Sequence, residues 1–155
     1  MALAPVPVLV LGIGNVLLSD EGAGVRVIEA LRQFELPEGV ELIDGGTGGA
    51  DLVEFLADRQ KVIVVGATDS DARPGTVQRL TVDQLLPAPG ESVSLHQLDL
   101  LESLRIAEQL GCAPREVVVF GIQPARIVPG LELSPEVAAA LPRAIALVQM
   151  ELKGW

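Results

Sequence analysis

Residues 8–24 read VLVLGIGNVLLSDEGAG, and the way this stretch folds decides the rest. Val8 to Ile13 is a short uncharged run rich in valine and leucine, the pattern of a parallel strand buried on both faces. Beyond it, Val27, Ile28, Leu31 and Phe34 recur at helical spacing, with Ser19 or Asp20 available as the cap. Val40 to Ile43 reads as a second strand, running into Asp44-Gly45-Gly46-Thr47-Gly48-Gly49. Leu52, Val53, Phe55 and Leu56 suggest a short helix, and Lys61 to Val65 a third strand. Pro74-Gly75 marks a turn before an edge strand from Thr76 to Leu80. Ser94 and Gln97 form a capping box for a helix that runs to Gly111. Glu116 to Phe120 is another apolar strand. Ser134-Pro135-Glu136 opens a last helix whose buried stripe is Val137, Leu141, Ile145, Val148 and Leu152. Strands alternating with helices predict an α/β three-layer sandwich: a mostly parallel sheet with helices on both faces, in one domain over residues 1–155.

Composition narrows the function. The formal net charge of -10 sets a field that repels phosphates, so neither nucleic acid nor an anionic membrane surface is expected as a partner. Cys112 is the only cysteine and cannot form an internal disulfide, which points to a reduced cytoplasmic setting. The stretch before Asp20 carries no charge, yet it lacks a basic leader and contains Pro5, Pro7, Gly12 and Gly14. A buried first strand explains it better than a targeting or membrane segment.

In such a sheet, ligands bind beyond the carboxyl ends of the strands. Gly12-Ile13-Gly14 there invites a dinucleotide reading, but Leu17 stands where the third glycine of that fingerprint belongs. Asp20 and Glu21 would moreover repel a pyrophosphate. Carboxylates at that place suit a cation, or else simply complement a helix dipole. His96 is the only histidine. Near a helix start its neutral form is favoured, ready to bind metal or act as a base; the plainer reading is a histidine bonded to backbone. Glu21 with His96 makes a carboxylate–imidazole pair suited to nickel or zinc, and a third ligand is then required. The glycines of Asp44 to Gly49 let backbone approach a ligand or extended peptide closely. No Gly-Lys-Ser/Thr follows, which excludes a P-loop. No nucleophile elbow is present, and Cys112 reads as structural.

The string Gly12-x-Gly14-Asn15-x-Leu17-x-x-Asp20-Glu21-Gly22-x-Gly24 resembles the first signature of the hydrogenase maturation endopeptidases. Asp44-Gly45-Gly46-Thr47, Ser94-Leu95-His96-Gln97 and Gly121-Ile122-Gln123-Pro124 resemble its later motifs, in the same order. The resemblance implies a mostly parallel five-stranded sheet sandwiched by helices. It also implies a single cut near the C-terminus of a nickel-iron hydrogenase large-subunit precursor, after nickel has been inserted. Glu21 and His96 match metal-binding positions, so nickel would come with the substrate. Asp44, Gly45, Gly46, Thr47 and Gln123 fall in motifs expected to touch that substrate. One position departs: Gly66 stands where the family places an aspartate ligand, with Asp69 the nearest candidate to compensate. The rival reading is a non-catalytic checkpoint that binds the large subunit without cutting it. A monomer that is mostly metal-free when purified is expected.

Overall fold

The computed structural model describes residues 5–46, 51–87, 89 and 95–155. Strand β1 (Val8–Ile13) is buried along its whole length, as its uncharged sequence demands. A single 3-10 turn (Ser19–Gly22) leads into helix α1 (Ala23–Leu31), then β2 (Val40–Gly46), α2 (Asp51–Leu56) and β3 (Lys61–Ala67). Next come β4 (Val77–Leu80), a short 3-10 turn (Asp83–Leu85), α3 (Leu95–Gln109), β5 (Glu116–Ile122) and α4 (Pro135–Lys153). The strands lie in the order β2-β1-β3-β5-β4. All pairings are parallel except the edge strand β4, which runs antiparallel to β5. The expected mostly parallel five-stranded sheet is therefore present.

Alternation along the strands sends side chains to two different cores. Val8 and Val10 of β1, with Ile63, Val65, Val118 and Phe120, pack beneath α1 and α4. Leu9 and Leu11, with Val62, Val64 and Val119, pack beneath Leu52 and Leu56 of α2 and Leu100 of α3. Helices cover both faces, completing three layers. Between β1 and β3 the chain changes direction of travel across the sheet, because β2 lies on one side of β1 and β3 on the other. That switch point opens a crevice beyond the strand ends, where a ligand site is expected.

Some boundaries differ from the sequence reading. Helix α1 ends at Leu31, its last buried residue, and the chain turns, leaving Phe34 half-exposed rather than in the stripe. Strand β3 continues through Gly66 to Ala67, because Gly66 and Ala67 pair with Gly121 and Ile122 of β5. In α4, Ala140 and Ala144 are buried, while Leu141 and Ile145 only flank the core. Ser134 caps α4 as expected, its hydroxyl accepting the Val137 N–H at 3.4 Å. The Ser94 half of the proposed capping box lies outside the described residues. Among the described residues no helix is long and apolar enough to cross a membrane.

At the amino ends of β3 and β5, Glu151 of α4 ties the edge of the sheet together. Its carboxylate accepts from Lys61 Nζ at 2.7 Å and from Arg79 Nε at 2.8 Å. Hydrogen bonding from Arg79 first, then from Lys61, outweighs burial and holds the carboxyl at about 2, against an ordinary 4.5. A carboxyl depressed on folding stabilises above its unfolded value and loses that stabilisation as pH falls toward its folded value. Glu151→Gln should therefore cost about 1–2 kcal/mol at neutral pH, discounted because Arg79 is half in solvent. The deficit relative to the natural protein should shrink between pH 4.5 and 2. Urea melts of both proteins at pH 7 and pH 3 check this.

Candidate functional site

The turn after β1 is drawn tightly onto the strand ends by glycine. A Cβ on Gly24 of α1 would collide with the Val65 carbonyl oxygen of β3 and come within 2.8 Å of the Ile13 oxygen. Gly14 has φ +130, and a Cβ there would run into the Glu21 carbonyl. These glycines bring backbone against backbone rather than against a phosphate.

Asp20 is fully buried and does not cap the helix; neither the 3-10 turn nor α1 has a side-chain cap. Its carboxylate instead accepts the N–H groups of Ala125, Arg126 and Ser134 at 2.8, 3.0 and 2.8 Å, and the Ser134 hydroxyl at 2.8 Å. Burial pushes this carboxyl up, but those four donors outweigh it and hold it below the usual range. Ser19 has φ +52, a left-handed conformation that costs about 1 kcal/mol for a side-chain-bearing residue. It is held there by its N–H to Gly130 O at 2.9 Å and its hydroxyl to Val128 O at 2.8 Å. The turn carrying Glu21 and the loop from Pro124 to Leu133 thus form one unit. The sequence reading saw Asp20 only as a cap or dipole partner, because its donors lie more than a hundred positions away.

With its neighbours fixed, Glu21 is presented toward the first turn of α3. The structure brings together the two residues singled out as metal ligands: Glu21 Oε1 and His96 Nε2 lie 3.0 Å apart, both side chains largely buried. The hydrogen bond that Glu21 accepts from the ring outweighs burial, and with the charges of Glu21 and Asp99 it raises the imidazole above its ordinary value. The direction of this shift is opposite to the one a helix start alone would give. A divalent cation of borderline softness can take the place of the proton in that bond, since oxygen and nitrogen already face each other. Among the described residues no third His, Cys, Asp or Glu joins the pair. This donor set fits a metal that brings ligands of its own, not one held by the protein alone.

Gly66 is buried in β3, and Ile13 packs over it. A Cβ at Gly66 would lie 2.9 Å from Ile13 Cγ1 and 3.4 Å from the Ile13 carbonyl oxygen. A side chain at this position would therefore crowd Ile13. Asp69, the candidate to compensate, has its Oδ1 engaged in another network: it accepts the Gln123 amide at 3.1 Å and the Asp71 N–H at 3.1 Å. Gln123 is buried, and its carbonyl accepts from Ser70 N at 2.8 Å, Ser70 Oγ at 3.3 Å and Ala72 N at 3.2 Å. It holds the loop after β3 in place rather than offering a free amide. Asp44 is exposed at the end of β2. The β1–β2 register slips there, with Gly12 opposite Asp44 and Ile13 opposite Gly46, so Gly45 is the extra residue of a bulge. Thr47 lies outside the described residues.

A doubly wound α/β domain with a carboxylate–imidazole pair at its switch point is what fold and site define. The profile of the hydrogenase maturation protease family matches residues 25–151. The chain is 39% identical to the hydrogenase expression/formation protein HupD of Rhodobacter capsulatus, covering 99% of this chain and 75% of that one. It is 36% identical to the hydrogenase 2 maturation protease of Escherichia coli K12, covering 94% and 90%. The hydrogenase maturating endopeptidase HybD from E. coli superposes with a TM-score of 0.86 at 35% identity, covering 95% and 92%. The chain belongs to the hydrogenase maturation protease family.

Because Ile13 fills the space beside Gly66, restoring a carboxylate there should come at a cost. Gly66→Asp is expected to lower stability by about 1–3 kcal/mol, through crowding and a buried charge. Adding Ile13→Val should recover part of that loss. Denaturant melts of both variants check it, and an unaffected Gly66→Asp would contradict the packing.

Proposed function

We propose that this protein is an endopeptidase that removes the C-terminal peptide of a nickel-loaded hydrogenase large-subunit precursor, guided to it by the metal through Glu21 and His96. Membership of the family supports the reaction, and the Glu21–His96 pair, 3.0 Å apart at the switch point, carries the metal-guided part. Two protein donors suffice when the metal arrives already held by the substrate, and an unfilled precursor would offer this pair nothing to grip. Cleavage is thereby tied to completed metal insertion. Nickel seated there would supply Lewis acidity to a nearby carbonyl. This chain's own residues orient the site: Asp20 fixes the turn, Glu21 and His96 present their donor atoms, and Gln123 steadies the loop after β3. Asp44, exposed, and Gly45, the bulge residue, line with Gly46 the path of an extended substrate segment at the end of β2; Thr47 of the same motif is proposed to bind that substrate too. We place the reaction in the cytoplasm and take the working unit to be a monomer, with the cleft free to receive a large partner.

The second reading, a checkpoint that binds the precursor without cutting it, is favoured by one observation: position 66 carries no side-chain donor, and Ile13 crowds any Cβ placed there. Mass spectrometry of a nickel-loaded precursor incubated with the protein separates the two. The endopeptidase reading expects loss of a C-terminal peptide, slowed about 100-fold or more by His96→Ala and by Glu21→Gln. An intact precursor that nevertheless co-elutes with the protein would establish the checkpoint instead. Purified protein should contain well under one nickel per chain, and stoichiometric metal would contradict the two-donor account.

A further inference from the structure

Beside the Glu21–His96 pair, four large apolar side chains stand in solvent on two segments that the fold has locked together. Leu17 is 60% exposed, Ile127 48%, Val128 47% and Leu131 62%. Scattered apolar residues on a surface are ordinary, but these gather on adjoining backbone. The Gly130 N–H donates to Leu17 O at 2.9 Å, and the Ser19 N–H donates back to Gly130 O at 2.9 Å. Leu18 and Gly130 form a parallel bridge across the same junction.

A loop of this composition, left free, would fold its apolar residues against the nearest core. Here the buried Asp20 carboxylate and the strained Ser19 hold it open, so the side chains stay outward and ordered. Preorganisation of that kind removes much of the ordering cost of binding a partner. The charge pattern agrees. In a chain of net charge -10, residues 124–133 carry only Arg126 and Glu132, which cancel. The segment therefore suits an uncharged, apolar protein surface. Position points to the occupant: Leu17 is four residues ahead of Glu21 and the loop is bonded to that same turn, so the rim is the neighbouring surface for a partner that brings metal to Glu21.

We infer that Leu17, Ile127, Val128 and Leu131 form the docking rim on which an apolar surface of the hydrogenase precursor seats. This rests on the function proposed above. The rim sets affinity and orientation, while Glu21 and His96 read the metal.

The test measures precursor binding by biolayer interferometry and cleavage kinetics by mass spectrometry, for the natural protein and the double variant Ile127→Ser/Leu131→Ser. Both positions are solvent-exposed, and a thermal melt verifies that the fold is kept. The control is Leu110→Ser, 69% exposed just beyond the far end of α3, away from the rim. The double variant should raise Kd and KM at least tenfold with kcat within twofold, and Leu110→Ser should change neither. Equal Kd for the natural protein and the double variant would overturn the rim while leaving the endopeptidase reading intact. A concentration-dependent dimer of the natural protein that the double variant abolishes would overturn it too, by assigning the rim to a second copy. A precursor that the natural protein neither binds nor cuts would remove the proposed function, and the rim with it.

Discussion

The buried Asp20 carboxylate is the interaction on which the working end of the molecule depends. An uncompensated charge in such a place would be prohibitive, but four donors converge on it from Ala125, Arg126 and Ser134. In return, one side chain joins the turn after β1, the loop after β5 and the start of α4. Its neighbour Glu21 inherits a fixed position and is aimed at His96, and Ser19 holds the exposed loop against the same turn. A carboxylate locked in the interior thus governs the geometry of its neighbour, which faces His96.

Much of this was legible in the sequence, for reasons that differ by element. The strands were readable because parallel strands buried on both faces leave unbroken apolar runs, as in β1, β3 and β5. The start of α4 was readable because its cap, Ser134, and first-turn proline act within three residues. Glu21 and His96 stood out through the family's motifs, and the structure places them together. What failed to show was tertiary. The donors of Asp20 lie more than a hundred residues downstream, so local pattern could assign it only a local role. Phe34 continued a helical spacing that the chain abandons once Leu31 is buried. Asp69 was a reasonable candidate ligand by proximity in sequence, but its partner Gln123 arrives from β5.

Gly66 joins the two levels. Read as sequence, it is a missing ligand; in the structure, it lies beneath Ile13, a residue of the same crevice contributed by β1. The substitution and its packing are compatible with each other, which agrees with the two-donor reading proposed above. Two donors bind a free aqua ion weakly and a metal held by another protein selectively. On the proposed function, such a site would discriminate a filled precursor from an empty one without retaining the metal afterwards.

The central claim is that Glu21 and His96 reach the nickel of the bound precursor. Nickel K-edge X-ray absorption on the precursor alone, and on its rapidly frozen complex with the protein, tests it most directly. The account predicts an added nitrogen or oxygen contribution to the nickel shell on complex formation, diminished with Glu21→Gln and with His96→Ala. A nickel spectrum that stays the same when the natural protein binds would contradict it, since the metal would then be untouched by the residues said to read it.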